Sequence, residues 1–234
     1  MGAALTEEVI GRQGPLRAGS PLRTPRAAAV AGIIFSVLLI TALVLLRVSV
    51  PAHPAAPGAW LTDSRRRATV AIALNLIPFA GIAFLWFVGV VRDRVGERED
   101  RFFATVFLGS GLLFVSMLFV GAAVATGLIA GQAQSGPPDG ATLTFGRHIT
   151  VLLLNVYAMR MAAVFTLTTV TIARHTRMVA RWLIFAGLAI ALVLLVAAGT
   201  VAWTELLFPA WILALSIDML VSRSRSSRDI SAPG

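Results

Sequence analysis

The sequence predicts an all-α polytopic membrane protein: six transmembrane helices in a bundle, with both termini on the cytoplasmic side. Three observations predict it. Hydrophobic residues make up 57% of the 234-residue chain and charged residues 13%, with a mean hydropathy of +0.84, which is too apolar for an ordinary soluble domain. Several apolar runs exceed the ~18 residues that mark a membrane span. The arginines fall mainly in alternate loops, the pattern by which positive charge orients a polytopic chain.

Residues 1–26 carry Arg12, Arg17, Arg23 and Arg26 among Gly, Pro and Ala, and read as a disordered cytoplasmic tail. The spans run 27–46, 68–91, 102–130, 150–172, 182–202 and 203–221, and residues 222–234 read as a second basic, disordered cytoplasmic tail. The first span is longer than the ~7–15 apolar residues of a signal peptide, so it reads as uncleaved, with cleavage near the following AHPAAPGA as the alternative. A Pro-rich loop then ends in Arg65, Arg66 and Arg67, which suit anionic headgroups.

The second span is interrupted at Pro78 and followed by RDRVGEREDR, Arg92–Arg101, a turn of four basic and four acidic residues around Gly96. Such a turn caps two helix ends and is a candidate docking site for a cytoplasmic protein. The third span is longer than ~30 Å of hydrocarbon needs, which implies tilt or protrusion. Residues 131–148, GQAQSGPPDGATLTFGRH, read as a flexible loop. A basic turn, ARHTRMVAR, separates spans four and five, and only Gly199–Glu205 separates the last two. No repeat of three helices, as inverted-repeat transporters show, is visible.

With the N-terminus inside, the cytoplasmic segments hold fourteen arginines and the outer loops five, namely Arg47, Arg65, Arg66, Arg67 and Arg147. The twentieth, Arg160, lies within the fourth span, TVLLLNVYAMRMAAVFTLTTVTI. At about 100° per residue, Arg160, Tyr157, Thr168 and Thr171 share one face, while Asn155, Thr166 and Thr169 fall nearly opposite. Unpaired polar groups are costly in hydrocarbon, so a helix polar on two faces is expected at the centre of the bundle. An ionisable residue at such depth is a functional-site hypothesis. Pro78 frees the carbonyl of Leu74, and Asn75 lies at a depth close to that of Arg160. The expected polar cluster is therefore Arg160 donating to the Leu74 carbonyl and the Asn75 side chain, with Tyr157 beside it and Glu205 as counter-charge. It either pins helices together or lines an outward-open pocket for an anion or polar solute.

Thr105, Gly109, Ser116, Ala123 and Gly127 fall within about 40° of one another on the third span, the pattern of a helix-packing seam. Gly109-Ser110-Gly111 superficially resembles a serine-nucleophile loop, but no span contains a histidine to activate it. His53, His148 and His175 lie in loops or at span ends on different sides, which does not make a metal site or a haem pair. Asp218 is placed to pair with Arg225 at the inner rim. The chain has no cysteine, which removes disulfides, thiolate metal ligands and a cysteine nucleophile. No cofactor motif is present. A net charge of +9 reflects the loop arginines, and no fold or aromatic-interleaved patch supports nucleic-acid binding.

The run VGVVRDRVGEREDRFFATVFLGSGLLF (Val88–Phe114), with NLIPFAGIAFLW in the second span and MRMAAVFTLTT in the fourth, resembles a family of uncharacterised multi-pass membrane proteins of high-GC Gram-positive (actinobacterial) bacteria. The resemblance covers roughly residues 27–221, and the absence of lysine fits a GC-rich genome. It implies a bacterial plasma-membrane location and supplies no activity or catalytic residue. The function expected is a non-enzymatic structural or regulatory membrane component in the lipid bilayer. The alternative is a small-solute or ion transporter using Arg160 and Asn75.

Overall fold

The computed structural model describes residues 25–50, 63–95, 101–135, 140–176 and 180–229. Among them there is no strand. The helices are α1 (Pro25–Ser49), α2 (Ser64–Val95), α3 (Arg101–Ser135), α4 (Gly140–Val151), α5 (Ala158–Thr176), α6 (Arg181–Ala197) and α7 (Leu207–Asp229). A π-helical stretch, Leu152–Tyr157, joins α4 to α5 without a break, and a single 3-10 turn, Thr204–Leu206, precedes α7.

Local chemistry sets several of these boundaries. Proline opens α1 at Pro25, where a missing N–H costs nothing. The Asp63 carboxylate accepts the backbone N–H groups of Arg65 and Arg66 at 2.9 and 3.3 Å, capping the start of α2. Arg65, Arg66 and Arg67 are accordingly the exposed first turn of a helix rather than the end of a loop. Between α6 and α7 the chain reverses through two left-handed residues, Gly199 (φ 84°) and Trp203 (φ 72°).

Five helical segments are long and apolar enough to cross a membrane: Arg26–Ser49, Ser64–Arg92, Phe102–Gly131, Gly140–Arg174 and Thr204–Val221. The sixth apolar helix, Arg181–Ala197, is shorter and ends five residues before the expected boundary at 202. The expected loop 131–148 is largely helical. The α3 helix continues to Ser135 and α4 begins at Gly140, where Gly146 lets the Leu128 side chain lie within 2.6 Å of where a Cβ would stand. Residues 96–100 of the charged turn fall outside the described residues, as do 1–24 and 230–234 of the two tails, while α7 carries the second tail as helix to Asp229.

The helices close into a ring in which α1 packs on α2, α2 on α3, α3 on α5, α5 on α6, α6 on α7 and α7 on α1. Phenylalanine fills its centre. Phe84 of α2 lies within 4.7–6.2 Å, centroid to centroid, of Phe35, Phe87, Phe114, Phe165 and Phe208, drawn from α1, α2, α3, α5 and α7. All six rings are fully buried. The contacts are mostly tilted or edge-on, the arrangements that π quadrupoles favour.

The fourth span is therefore not the central helix. The α5 helix buries Ala158, Ala162, Phe165 and Thr169 on one side and exposes Arg160 and Leu167 on the other. Its polar residues impose no second buried face, because Thr166, Thr168, Thr169 and Thr171 each donate to the carbonyl four residues earlier at 2.7–2.9 Å. A hydroxyl satisfied by its own helix needs nothing from a neighbour.

Candidate functional site

Asn75 is exposed on α2, and its amide donates 2.8 Å to the carbonyl of Ala71, one turn back on the same helix. Leu74 is buried in the bundle. Arg160 is exposed on the outer side of α5, and Tyr157, one turn away, is 52% exposed. No hydrogen bond or ion pair joins Arg160 to Leu74, Asn75, Tyr157 or Glu205. The expected polar cluster is not assembled. Asn75 and Arg160 occupy exposed faces of two different helices.

Glu205 has another partner. Its carboxylate, almost fully buried at the 3-10 turn, lies 3.5 Å from Nη1 of Arg47 at the end of α1. The Arg47 guanidinium also stands 5.5 Å from the centre of the Trp203 ring, in cation–π contact. Arg47, Trp203 and Glu205 thus form a rim cluster tying α1 to the start of α7. In the sequence Arg47 reads only as a loop residue. An arginine closing one apolar run and an aromatic-acidic pair opening another is a signal that could have found it.

At the opposite end, Asp218 of α7 accepts the backbone N–H of Ala180, 3.4 Å away, at the start of α6. A carboxylate at a helix N-terminus meets free N–H groups and the positive end of the dipole. The expected partner, Arg225, lies where side chains are outside the described residues. Trp211 completes the link between α7 and α6, its indole N–H donating 3.0 Å to the Leu183 carbonyl.

The expected seam on α3 faces away from the bundle. Thr105, Ser116, Ala123 and Gly127 are exposed, and nothing lies within 4 Å of a Cβ built on Gly109 or Gly127. Phe107, Phe114 and Leu118 on the opposite side carry the packing. Close helix approach uses other glycines: Gly32 against Ser216, Gly81 against Phe119, Gly121 against Leu154 and Gly187 against Trp211. Ser110 is buried and donates to the Val106 and Phe107 carbonyls, with no histidine near it among the described residues. Of the histidines, His148 is exposed, and His53 and the side chain of His175 lie outside the described residues. Among the described residues no group of His, Cys, Asp or Glu could hold a metal ion.

The class defined by this architecture is an all-helical protein whose helices are long and apolar enough to cross a membrane, with a phenylalanine-filled interior. Searches among family models, curated proteins and solved structures find no match to the chain.

Proposed function

We propose that this chain is a six-span plasma-membrane protein of a bacterium, with both ends cytoplasmic, that acts as a non-enzymatic structural or regulatory component through its charged turn, Arg92–Arg101. The observation that carries this reading is the filled interior. The space between helices where a solute would pass holds six fully buried phenylalanine rings. The buried hydroxyls of Ser36, Ser110 and Thr166 spend their donors on carbonyls of their own helices. The excess of arginine on one set of loops supports the orientation, and the length of Arg181–Ala197, about 24 Å of helix from its ends, supports a sixth crossing in a thin or tilted setting.

Complementation of a deletion strain tests the reading, scored by metabolite, lipid and susceptibility profiles. Neutralising the charged residues of 92–101 is expected to abolish complementation, while Asn75→Leu retains it. Solute flux into proteoliposomes of the purified protein, above that of protein-free vesicles, overturns it. Because the chain has no cysteine, single cysteines placed in each loop report span number and sidedness by labelling from either side.

A further inference from the structure

The Arg160 guanidinium has no counter-charge among the described residues. It is exposed and makes no hydrogen bond or ion pair to any described residue. Its depth follows from the phenylalanine centre. Phe35 and Phe165 both pack on Phe84, so they mark one level on α1 and α5. Arg26 stands nine residues from that level on α1, and Arg174 nine residues from it on α5, about 13 Å in each case, which sets one membrane surface. Toward the other surface, Arg47 is twelve residues from Phe35, about 18 Å, and Arg160 is five residues from Phe165, about 7 Å.

Helical side chains lean toward the N-terminus of their own helix. On α5 this carries the Arg160 head toward the Arg47 end of the bundle, and on antiparallel α1 it carries the Arg47 head inward. The remaining gap of about 10 Å is closed by the two long side chains. The Arg160 charge thereby reaches the level of the Arg47, Glu205 and Trp203 rim cluster, where hydrocarbon gives way to headgroups. Tyr157, three residues nearer that surface and also exposed, sets its phenol beside the same place.

A second copy of the chain is a poor match: Asp63, at the Arg47 end, already meets the Arg66 guanidinium and the first N–H groups of α2. Of eleven acidic residues only Glu205 and Asp218 lie within the apolar helical segments. Glu205 is buried against Arg47, and Asp218 is at the other end, on the Ala180 N–H. We infer that Arg160, with Tyr157 donating beside it, is a lateral binding site for the phosphate of a bilayer lipid in the leaflet at the Arg47 end. The acyl chain then lies along Leu167 and Val164 below. The inference rests on the helices crossing a bilayer and not on the regulatory role.

The test is titration of the purified full-length protein in detergent with phosphatidylglycerol, read by native mass spectrometry and thermal stabilisation. The wild type is expected to retain lipid that Arg160→Leu binds at least tenfold more weakly. Tyr157→Phe is expected to lose two- to threefold, and Arg160→Lys to lie close to wild type. Inorganic phosphate is expected to give no stabilisation, since it lacks the acyl chain. Should Arg160→Leu fail to fold, Arg160→Gln takes its place in the titration. Equal lipid affinity in wild type and the uncharged variant overturns the inference. So does a membrane protein that co-purifies with wild type and is lost in the variant while lipid affinity is unchanged, because the counter-charge is then a foreign carboxylate. A failure of complementation with unaltered lipid binding would bear on the proposed function alone.

Discussion

The hydroxyl oxygen of Ser216 on α7 sits directly over the backbone of Gly32 on α1, where a Cβ would overlap it and would also lie 3.0 Å from the Phe87 ring. Ser216 is fully buried and its Oγ has no hydrogen-bond partner among the described residues. Gly32 in turn lends its carbonyl to Ser36 Oγ, 2.8 Å away. Gly32→Ala is therefore expected to destabilise the bundle by about 1–3 kcal/mol, the usual cost of overpacking. Ser216→Ala should be neutral or stabilising by about 1 kcal/mol, since it removes an unsatisfied buried hydroxyl. Combining Gly32→Ala with Ser216→Gly should recover part of the loss, as measured by reversible unfolding in mixed micelles.

The Arg47 and Glu205 pair should respond asymmetrically. Arg47 is partly exposed and can turn to water when Glu205 is replaced, whereas Glu205 cannot. Glu205→Gln is expected to cost about 1 kcal/mol or less, and Arg47→Ala about 3 kcal/mol, because it strands a buried carboxylate and removes the Trp203 contact. Equal melting shifts for the two variants would contradict this.

Phe84→Ala should be the most damaging single truncation in the interior. It removes contacts to five other rings and leaves a cavity that the surrounding helices cannot fill. A loss of about 3–5 kcal/mol is expected from denaturant titration.

Glycines on the two sides of the ring should differ. A Cβ at Gly81 would meet the Phe119 ring, while one at Gly109 would meet nothing within 4 Å. Gly109→Leu is expected to leave the melting temperature within about 2 °C of wild type, and Gly81→Leu to prevent assembly or lower the temperature sharply. The reverse order would restore the α3 seam as an internal contact.

Trp211→Phe keeps most of the packing but loses the indole bond to the Leu183 carbonyl. A cost of about 1 kcal/mol is expected. Faster hydrogen exchange in α6 should accompany it, because that bond and the Asp218 contact to Ala180 are two of the links that hold the short helix.

The sequence by itself determined the apolar helical segments, their order and the arginine asymmetry, because backbone satisfaction in hydrocarbon requires helices and charge resists crossing. It also marked Arg160 as the one charge out of place. Only the tertiary structure decided which side of each helix faces inward. Hydropathy separates apolar from aqueous surroundings, but lipid and a protein interior are equally apolar, so Gly109 and Gly81, or Leu167 and Phe165, look alike in the chain. Threonines that bond to their own helix added a misleading polarity, and it was the interlocking of Phe35, Phe84, Phe114, Phe165 and Phe208 that turned Arg160 outward.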